Sequence, residues 1–147
     1  MKTQTVCGVV LTVATMVAAG CARYAAKSET SLYDRLGGKP AITAVVGDFL
    51  EAVGQDSRVR HQPAPERVPA LQVSLVDLVC QASGGPCEYR GRPMKAAHAG
   101  MGISQAEFEA VVDDLVKTLD RYKVPAREKN DLLGLLAPLR EDIVEVQ

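Results

Sequence analysis

Apolar residues return at helical spacing along most of this chain, and no stretch alternates with a period of two for long enough to form a strand. Aromatic residues are few (Tyr 4, Phe 2, Trp 0), so the core has to be aliphatic, which is typical of packed helices. The first stripe repeats at i, i+3, i+4, i+7, i+8 and i+11, with Ile42, Val45, Val46, Phe49, Leu50 and Val53. We therefore predict an all-α domain.

Further stripes of the same kind follow the first one. Each begins near a residue suited to a helix start, at Pro69, Pro93, Ser104 and Pro125. A bend is predicted at Pro138, inside the last stripe. The predicted inward faces are Leu71, Leu75, Leu78, Val79 and Ala82; Met94, Ala97, His98 and Met101; Phe108, Val111, Val112, Leu115 and Leu119; and Leu132, Leu133, Leu136, Leu139 and Ile143.

The boundaries between the helices carry their own signals. Glycines at 37 and 38 end a turn, and Pro40 predicts the first position of the first long helix. Residues 55–67, with prolines among charges, predict a loop, and the Ser-Gly-Gly-Pro run at 83–86 ends the second helix. Residues 104–107 (Ser-Gln-Ala-Glu) form a capping box, in which the two side chains satisfy each other's backbone N–H groups.

Size and charge limit the classes of function. The 147 residues are enough for one domain, with 47% apolar and 24% charged residues. The 17 basic and 18 acidic residues give a net charge of -1. Because no basic excess is left to neutralise a phosphate backbone, we expect no nucleic-acid partner. The sequence contains no nucleophile motif, and its carboxylates are spread along helix faces, which disfavours hydrolase chemistry.

The first twenty residues resemble an export signal. Lys2 is followed by an uncharged apolar run of 14 residues from Val6 to Ala19, and a membrane span needs about 20 residues. The Val-Ala-Ala-Gly quartet before Cys21 resembles the bacterial lipobox, which is cleaved at a cysteine that carries diacylglycerol. We therefore expect an exported protein, lipid-anchored at Cys21 on the periplasmic face of a bacterial membrane. A plain signal peptide and an uncleaved anchor are the alternatives.

This interpretation divides the chain into a lipoprotein signal peptide (1–20), a lipidated tether (21–30) and a folded domain (31–147). Export also places the domain in an oxidising compartment. The two cysteines of the domain, Cys80 and Cys87, flank the Ser-Gly-Gly-Pro turn. We therefore predict a disulfide between them, with one buried and one exposed thiol as the alternative.

The chain has two histidines. His61 lies in the proline-rich loop and is expected to be exposed, whereas His98 lies on the apolar face of a short helix between Met94 and Met101. The sequence has neither the ligand spacing of a zinc site nor the Cys-x-x-Cys-His motif of covalent c-type haem. A single axial histidine in an apolar helical pocket leaves non-covalent haem as the metal chemistry. A hydrogen-bonded core histidine is the alternative interpretation of His98.

Two runs of residues carry a resemblance to a known family. Residues 31–38 read Ser-Leu-Tyr-Asp-Arg-Leu-Gly-Gly, and residues 84–98 read Gly-Gly-Pro-Cys-Glu-Tyr-Arg-Gly-Arg-Pro-Met-Lys-Ala-Ala-His. With Phe49 between them, they resemble a group 1 truncated haemoglobin, from about residue 31 to residue 144. The resemblance implies a truncated globin fold, a sandwich of two helices over two, with non-covalent haem b. It also implies that oxygen, carbon monoxide or nitric oxide binds reversibly at the haem iron.

The resemblance also implies roles for particular residues. It makes His98 the proximal ligand of the haem iron. The further haem contacts that it implies are Tyr89, Met94, Met101 and Ile103, together with Phe49, Leu50, Leu71 and Leu75 toward the distal side.

The distal positions depart from the family pattern. Leu50 stands where many members have a tyrosine, Leu71 and Leu75 stand where glutamines occur, and a phenylalanine usual near residues 61–63 is missing. Since no donor then faces the bound gas, we expect fast oxygen release. Nitric oxide dioxygenase activity becomes doubtful, and a reductase partner stays unidentified. The alternative function is a cofactor-free helical lipoprotein that acts as an adaptor or interaction module in the envelope.

Overall fold

The computed structural model describes residues 30–146. Within that range the chain forms seven α-helices, and its only β-type pairing is a single bridge between Ser104 and Val146. The predicted signal peptide, Cys21 and all but the last residue of the predicted tether lie outside the described residues. The α-helices are α1 (Leu32–Arg35), α2 (Gly38–Gln55), α3 (Val68–Ala82), α4 (Met94–His98), α5 (Gln105–Arg121), α6 (Ala126–Leu136) and α7 (Arg140–Ile143).

The described residues form an all-helical domain, which confirms the predicted all-α class. Helix α2 packs against both α3 and α5, and α1 packs against α6. The largest core cluster joins α2 to α3 through Ile42, Val46, Leu50, Val76 and Cys80. A second cluster joins α1, α5 and α6 through Leu32, Leu119 and Leu132. Among residues 30–146 no helix combines the length and the apolar character needed to cross a bilayer.

Several helix ends differ from the prediction by one or two residues. Helix α2 begins at Gly38, because Gly37 has a left-handed backbone (φ 92°) and acts as N-cap, so Pro40 is the third helical residue. Pro93 is the N-cap of α4 rather than its first residue. Helix α4 ends at His98, since Ala99 is extended (φ -57°, ψ 129°), and Met101 therefore lies outside the helix and does not share its face.

Other local features follow the sequence more closely. The predicted loop at 55–67 begins one residue later than expected, because Gln55 ends α2, and it contains one turn of 3-10 helix, Pro65–Arg67, which leads directly into α3. The bend at Pro138 is confirmed as a 3-10 turn, Ala137–Leu139, between α6 and α7. Helix α1 was not predicted, and it forms because the Ser31 hydroxyl caps the Asp34 N–H group.

The inward faces of α3 and α5 differ from those predicted. In α3 the buried residues are Val76 and Cys80, whereas the predicted leucines are only half-buried and Ala82 is exposed. In α5 the predicted stripe is half-buried except for Leu119, and the buried line contains polar side chains. That line consists of Glu107, Ala110, Asp114, Thr118 and Leu119. The two helices thus leave apolar faces that the protein does not fully cover.

Candidate functional site

The imidazole of His98 is held in one orientation by its own helix. Its Nδ1 atom lies 2.9 Å from the backbone carbonyl oxygen of Met94, one helical turn earlier. A carbonyl can only accept, so Nδ1 carries the hydrogen and donates it. Nε2 then keeps its lone pair, and no residue between 30 and 146 forms a hydrogen bond with it. This is the arrangement of a ligand histidine, whose second nitrogen is fixed by a backbone carbonyl.

The helix that carries His98 has an apolar face that the protein covers only in part, which we call the open face. Helix α4 contains no buried residue, and Met94, Ala97 and His98 are half-buried on one side of it. Its close helical neighbour is α7. An apolar face that its own protein covers only in part is a surface on which an apolar partner can bind.

Other helices expose apolar side chains of the same kind. Some of these half-buried residues pack against none of the three core clusters, and they lie on α3, α5 and α6. They are Leu78, Phe108, Val112, Val116 and Leu133. Because a stable fold usually covers such side chains, their shared half-burial fits a large apolar group bound between helices.

These residues fit a haem with one axial ligand. The only group with a free metal-binding nitrogen on the open face is His98, and the residues around it are apolar, as in a globin-type site. Among residues 30–146 no three His, Cys, Asp or Glu side chains come together to hold a metal ion by themselves. The chemistry of the donor set therefore matches a cofactor that brings its own equatorial ligands.

The structure places the predicted distal residues together on α2 and α3. Leu50 is buried (5% exposed) within the largest core cluster, and Phe49, Leu71 and Leu75 pack against that cluster while half-buried. Leu50 is thus mainly a core residue. The predicted distal set contains no side-chain hydrogen-bond donor.

The predicted neighbours of His98 have differing environments. Met94 is half-buried on the open face of α4, and Tyr89 is half-buried in the preceding loop, where its hydroxyl donates to the Arg92 carbonyl oxygen at 2.9 Å. Ile103 is buried (7% exposed), and its carbonyl oxygen accepts hydrogen bonds from the backbone of Glu145 and Val146. Met101 is half-buried in the segment after the helix.

His61 is not the exposed loop residue that the sequence suggested. It is half-buried, and its Nδ1 donates to the Glu107 carboxylate at 2.9 Å. The same carboxylate oxygen accepts the backbone N–H groups of Arg60 and His61, each at 2.8 Å. Burial alone would raise the pKa of Glu107, but the hydrogen bonds from His61 and Arg60 outweigh it and lower that pKa below 4.5.

Glu107 also corrects the predicted capping box. Ser104 caps α5 as expected, because its hydroxyl oxygen accepts the Glu107 N–H at 3.2 Å. The Glu107 side chain, however, turns to the loop at 60–61 instead of to Ser104. Nothing in the four-residue motif distinguishes these two uses of the glutamate, so the sequence could not reveal this anchor of the loop.

Cys80 and Cys87 form a disulfide, the pair that the sequence predicts. It ties the buried end of α3 to the loop that leads into α4. One hydrogen bond adds to this link, because the Tyr89 N–H donates to the Gln81 side-chain oxygen at 2.6 Å. The approach to His98 is therefore attached to the core on its N-terminal side.

A surface cleft of about 360 Å³ lies elsewhere, between α2 and α3. It is lined by Lys39, Thr43, Gln72, Val73, Val76 and Asp77. None of the predicted site residues lines it, and a Lys39–Asp77 ion pair (3.0 Å) joins its two helices. The open face of α4 remains the candidate site.

Comparison with known proteins places the chain in a family. The model of the bacterial-like globin family matches residues 31–145. The group 1 truncated haemoglobin GlbN of Mycolicibacterium paratuberculosis is 34% identical over 122 residues, which cover 83% of this chain and 90% of that protein. The corresponding protein of Nostoc sp. is 30% identical over 115 residues, covering 78% of this chain and 98% of its own length.

Solved structures agree with these sequence matches. The truncated haemoglobin of Tetrahymena pyriformis in its Fe(III) form superposes with a TM-score of 0.73 at 29% identity, covering 78% of this chain and 98% of that one. The 2/2 haemoglobin of Synechococcus sp. PCC 7002, solved with covalently attached haem, gives a TM-score of 0.72 at 27% identity and the same coverage of both chains. The chain belongs to the bacterial-like globin family and has the truncated haemoglobin fold.

Proposed function

We propose that this protein binds haem b non-covalently and uses it to bind a diatomic gas reversibly. The observation that carries the proposal is His98, whose Nδ1 is fixed on the Met94 carbonyl while Nε2 is free on an open apolar face. Family membership supports it, because the relatives are truncated haemoglobins. With His98 as the protein's ligand, a bound haem would supply an iron at which oxygen, carbon monoxide or nitric oxide could bind.

The residues around this position have separate tasks. His98 would bind the iron through Nε2. The hydrogen bond from its Nδ1 to the Met94 carbonyl raises the basicity of Nε2, which makes it a better metal ligand. The half-buried apolar side chains exclude water from the cofactor, and Met94, Leu71 and Leu75 belong to this group. Tyr89, Met101 and Ile103 lie in the segments on either side of α4.

The apolar distal set sets the preference among gases. Oxygen held at a haem iron would carry partial negative charge and would be stabilised by a hydrogen-bond donor, whereas carbon monoxide would be much less polar. Because Leu50, Leu71 and Leu75 supply no donor, this chain should release oxygen quickly and favour carbon monoxide. Transient gas binding, sensing or nitric oxide handling fits such a site better than oxygen storage, and we propose no enzymatic activity.

The haem proposal is tested by titrating the purified protein with haemin and reducing it. A Soret band at about 400–420 nm is expected in the wild type, and the His98→Ala variant should lose it or bind haem with a grossly altered spectrum. His61→Ala is the matched histidine control and should keep the five-coordinate ferrous spectrum. If no band forms in the wild type, the cofactor-free adaptor is the better description.

The distal proposal is tested on the haem-loaded protein with Leu71→Gln. Leu71 is half-buried, so an amide donor can be added there without overfilling the core. Oxygen dissociation should slow tenfold for every ~1.4 kcal/mol gained. Leu71→Met, which adds no donor, is the control and should release oxygen like the wild type. Slow release by the wild type itself would mean that another residue donates to the gas.

We further propose that the chain is an exported lipoprotein anchored through Cys21. The support is the Val-Ala-Ala-Gly-Cys sequence after a short apolar run, and the Cys80–Cys87 disulfide suits an oxidising compartment. The mature protein should begin at Cys21, carry acyl mass there and partition with membranes. Cys21→Ser should block this processing, and mature protein without acyl mass that starts at another residue would contradict the proposal.

A further inference from the structure

The segment that follows His98 is held by the C-terminal end of the described chain. Helix α4 is one of the shortest helices, has no side-chain cap and buries no residue, so it cannot fix its own direction. The residues after it include Gly100 and Gly102, both with left-handed backbones (φ 77° and 65°). Such a segment needs outside contacts to keep one conformation.

The side chain of Glu145 supplies two of these contacts. One carboxylate oxygen accepts the Gly100 N–H at 2.7 Å, and the other accepts the Gly102 N–H at 2.5 Å. These hydrogen bonds, the one from Gly100 first, lower the pKa of Glu145 below its usual value. The carboxylate is therefore ionised at neutral pH and makes two charge-assisted bonds.

Backbone hydrogen bonds continue the attachment along the chain. The N–H groups of Glu145 and Val146 donate to the Ile103 carbonyl oxygen at 2.9 and 3.2 Å. The Gln105 N–H donates to the Val146 carbonyl oxygen at 3.1 Å, next to the bridge between Ser104 and Val146. The C-terminal segment thus spans the whole connection from α4 to α5.

We propose that Glu145 is a positioning residue for His98. By fixing Gly100 and Gly102 through its two carboxylate oxygens, it keeps the end of α4, and with it the His98 imidazole, in the orientation that binds iron. This inference rests on the proposed haem function. It concerns the strength and geometry of the bond to iron, because the carboxylate of Glu145 accepts its hydrogen bonds from Gly100 and Gly102 and not from His98.

The test compares the full-length, haem-loaded wild type with Glu145→Ala, Glu145→Gln and the control Glu141→Gln. Glu141 is an exposed residue of α7 with no ion pair or side-chain hydrogen bond to any residue from 30 to 146. Two quantities are measured: the rate of haem loss to an excess of an apoprotein acceptor, and the iron–histidine stretching band of the ferrous protein by resonance Raman. Far-UV circular dichroism checks that each variant is folded.

Glu145→Ala should lose haem about tenfold faster than wild type, the lower end of the effect of removing a residue that orients a metal ligand. Its iron–histidine band should broaden or shift, which a change in global stability alone would not cause. Glu145→Gln keeps one accepting oxygen, so its rate of haem loss should lie between those of the wild type and Glu145→Ala. The control Glu141→Gln should lose haem at the wild-type rate. If Glu145→Ala is folded, loses haem at the wild-type rate and keeps an unchanged iron–histidine band, the inference about Glu145 is wrong while the proposed haem function stands. A wild type that takes up no haem would overturn the proposed function and this inference with it.

Discussion

Helices α2 and α4 each carry an apolar stripe that is visible in the sequence, but the protein covers only one of them. In α2 the residues Ile42, Val46, Leu50 and Val53 are buried, as their spacing predicts. In α4 no residue is buried, although Met94 and Ala97 make its stripe apolar beside His98. The difference shows that helical periodicity identifies an apolar face without saying what covers it. A covered face builds the core, and an open one marks a site.

The two helices are also held in place by different means. Helix α2 is fixed along its length by packing against α3 and α5. Helix α4 is fixed at its ends, by the Cys80–Cys87 disulfide before it and by the contacts of Glu145 after it. Packing of its buried face fixes α2. Because α4 is held by contacts before and after it, its apolar face does not have to pack fully against the protein.

The largest expected effect is on the free energy of unfolding, which should fall much more when a buried leucine is truncated than when a half-buried one is. Leu119 is 1% exposed, so Leu119→Ala should lower the free energy of unfolding by about 2–5 kcal/mol. Leu78 is half-buried and outside every core cluster, so Leu78→Ala should cost the haem-free protein about 1 kcal/mol or less. Urea unfolding of the two variants provides the measurement. Equal losses would mean that Leu78 belongs to the core and that the face is not open.

Removing the disulfide should have the next largest effect. The Cys80→Ser/Cys87→Ser double variant should lower the free energy of unfolding by roughly 2–3 kcal/mol, because the cross-link no longer restricts the unfolded chain. Reduction of the wild type with a thiol should produce the same loss, and reductant should not change the double variant. A wild type that is insensitive to reductant would show that the bond does not form.

A smaller, pH-dependent effect distinguishes two carboxyl groups on the buried line of α5. Glu107 has a lowered pKa, so its contribution is fully present above about pH 4.5 and is lost as pH falls through the folded-state pKa. At pH 7, Glu107→Gln should cost about 1–2 kcal/mol, since it leaves the Arg60 and His61 donors poorly satisfied. This cost should shrink below pH 4.5. A cost that does not change with pH would contradict the assignment.

Asp114 should behave in the opposite way. Burial first, and then the negative charge of Asp56, raise the pKa of Asp114, and its buried Oδ2 atom has no hydrogen-bond partner among residues 30–146. Its ionised form therefore destabilises the fold at neutral pH, and the penalty disappears as pH falls through the raised pKa. We expect Asp114→Asn to stabilise the protein slightly at pH 7 and to have no such advantage at pH 3. Urea unfolding at both pH values checks the sign.

The sequence predicted the helices well because their positions depend on local signals. The stripe in α2, the Ser104 cap and the bend at Pro138 each follow from residues within one or two turns. The faces of α3 and α5 could not be predicted in the same way, since an apolar stripe that borders a cofactor has the same pattern as one that borders protein. The buried Glu107 and Asp114 show the consequence, because the line of α5 that packs against the protein contains polar side chains while most of the predicted apolar stripe is half-buried.

The candidate site was predictable in part for the same reason. The Met94 carbonyl is the i−4 partner of His98 on one helix, so a local argument could have found it. The contacts of Glu107 with His61 and of Glu145 with Gly100 join residues more than forty positions apart. No sequence motif predicts such pairs, because they depend on how the helices pack against one another.

A crystal structure of the protein after incubation with haemin tests the central claim most directly. The claim is that the open faces are apolar walls of a haem site in which His98 is the protein's ligand. The expected result is iron bonded to His98 Nε2, with Nδ1 still donating to the Met94 carbonyl and with Leu78 and Met94 covered by the cofactor. A haem-free protein whose open faces have closed on one another, or iron held by His61 instead of His98, would contradict the claim.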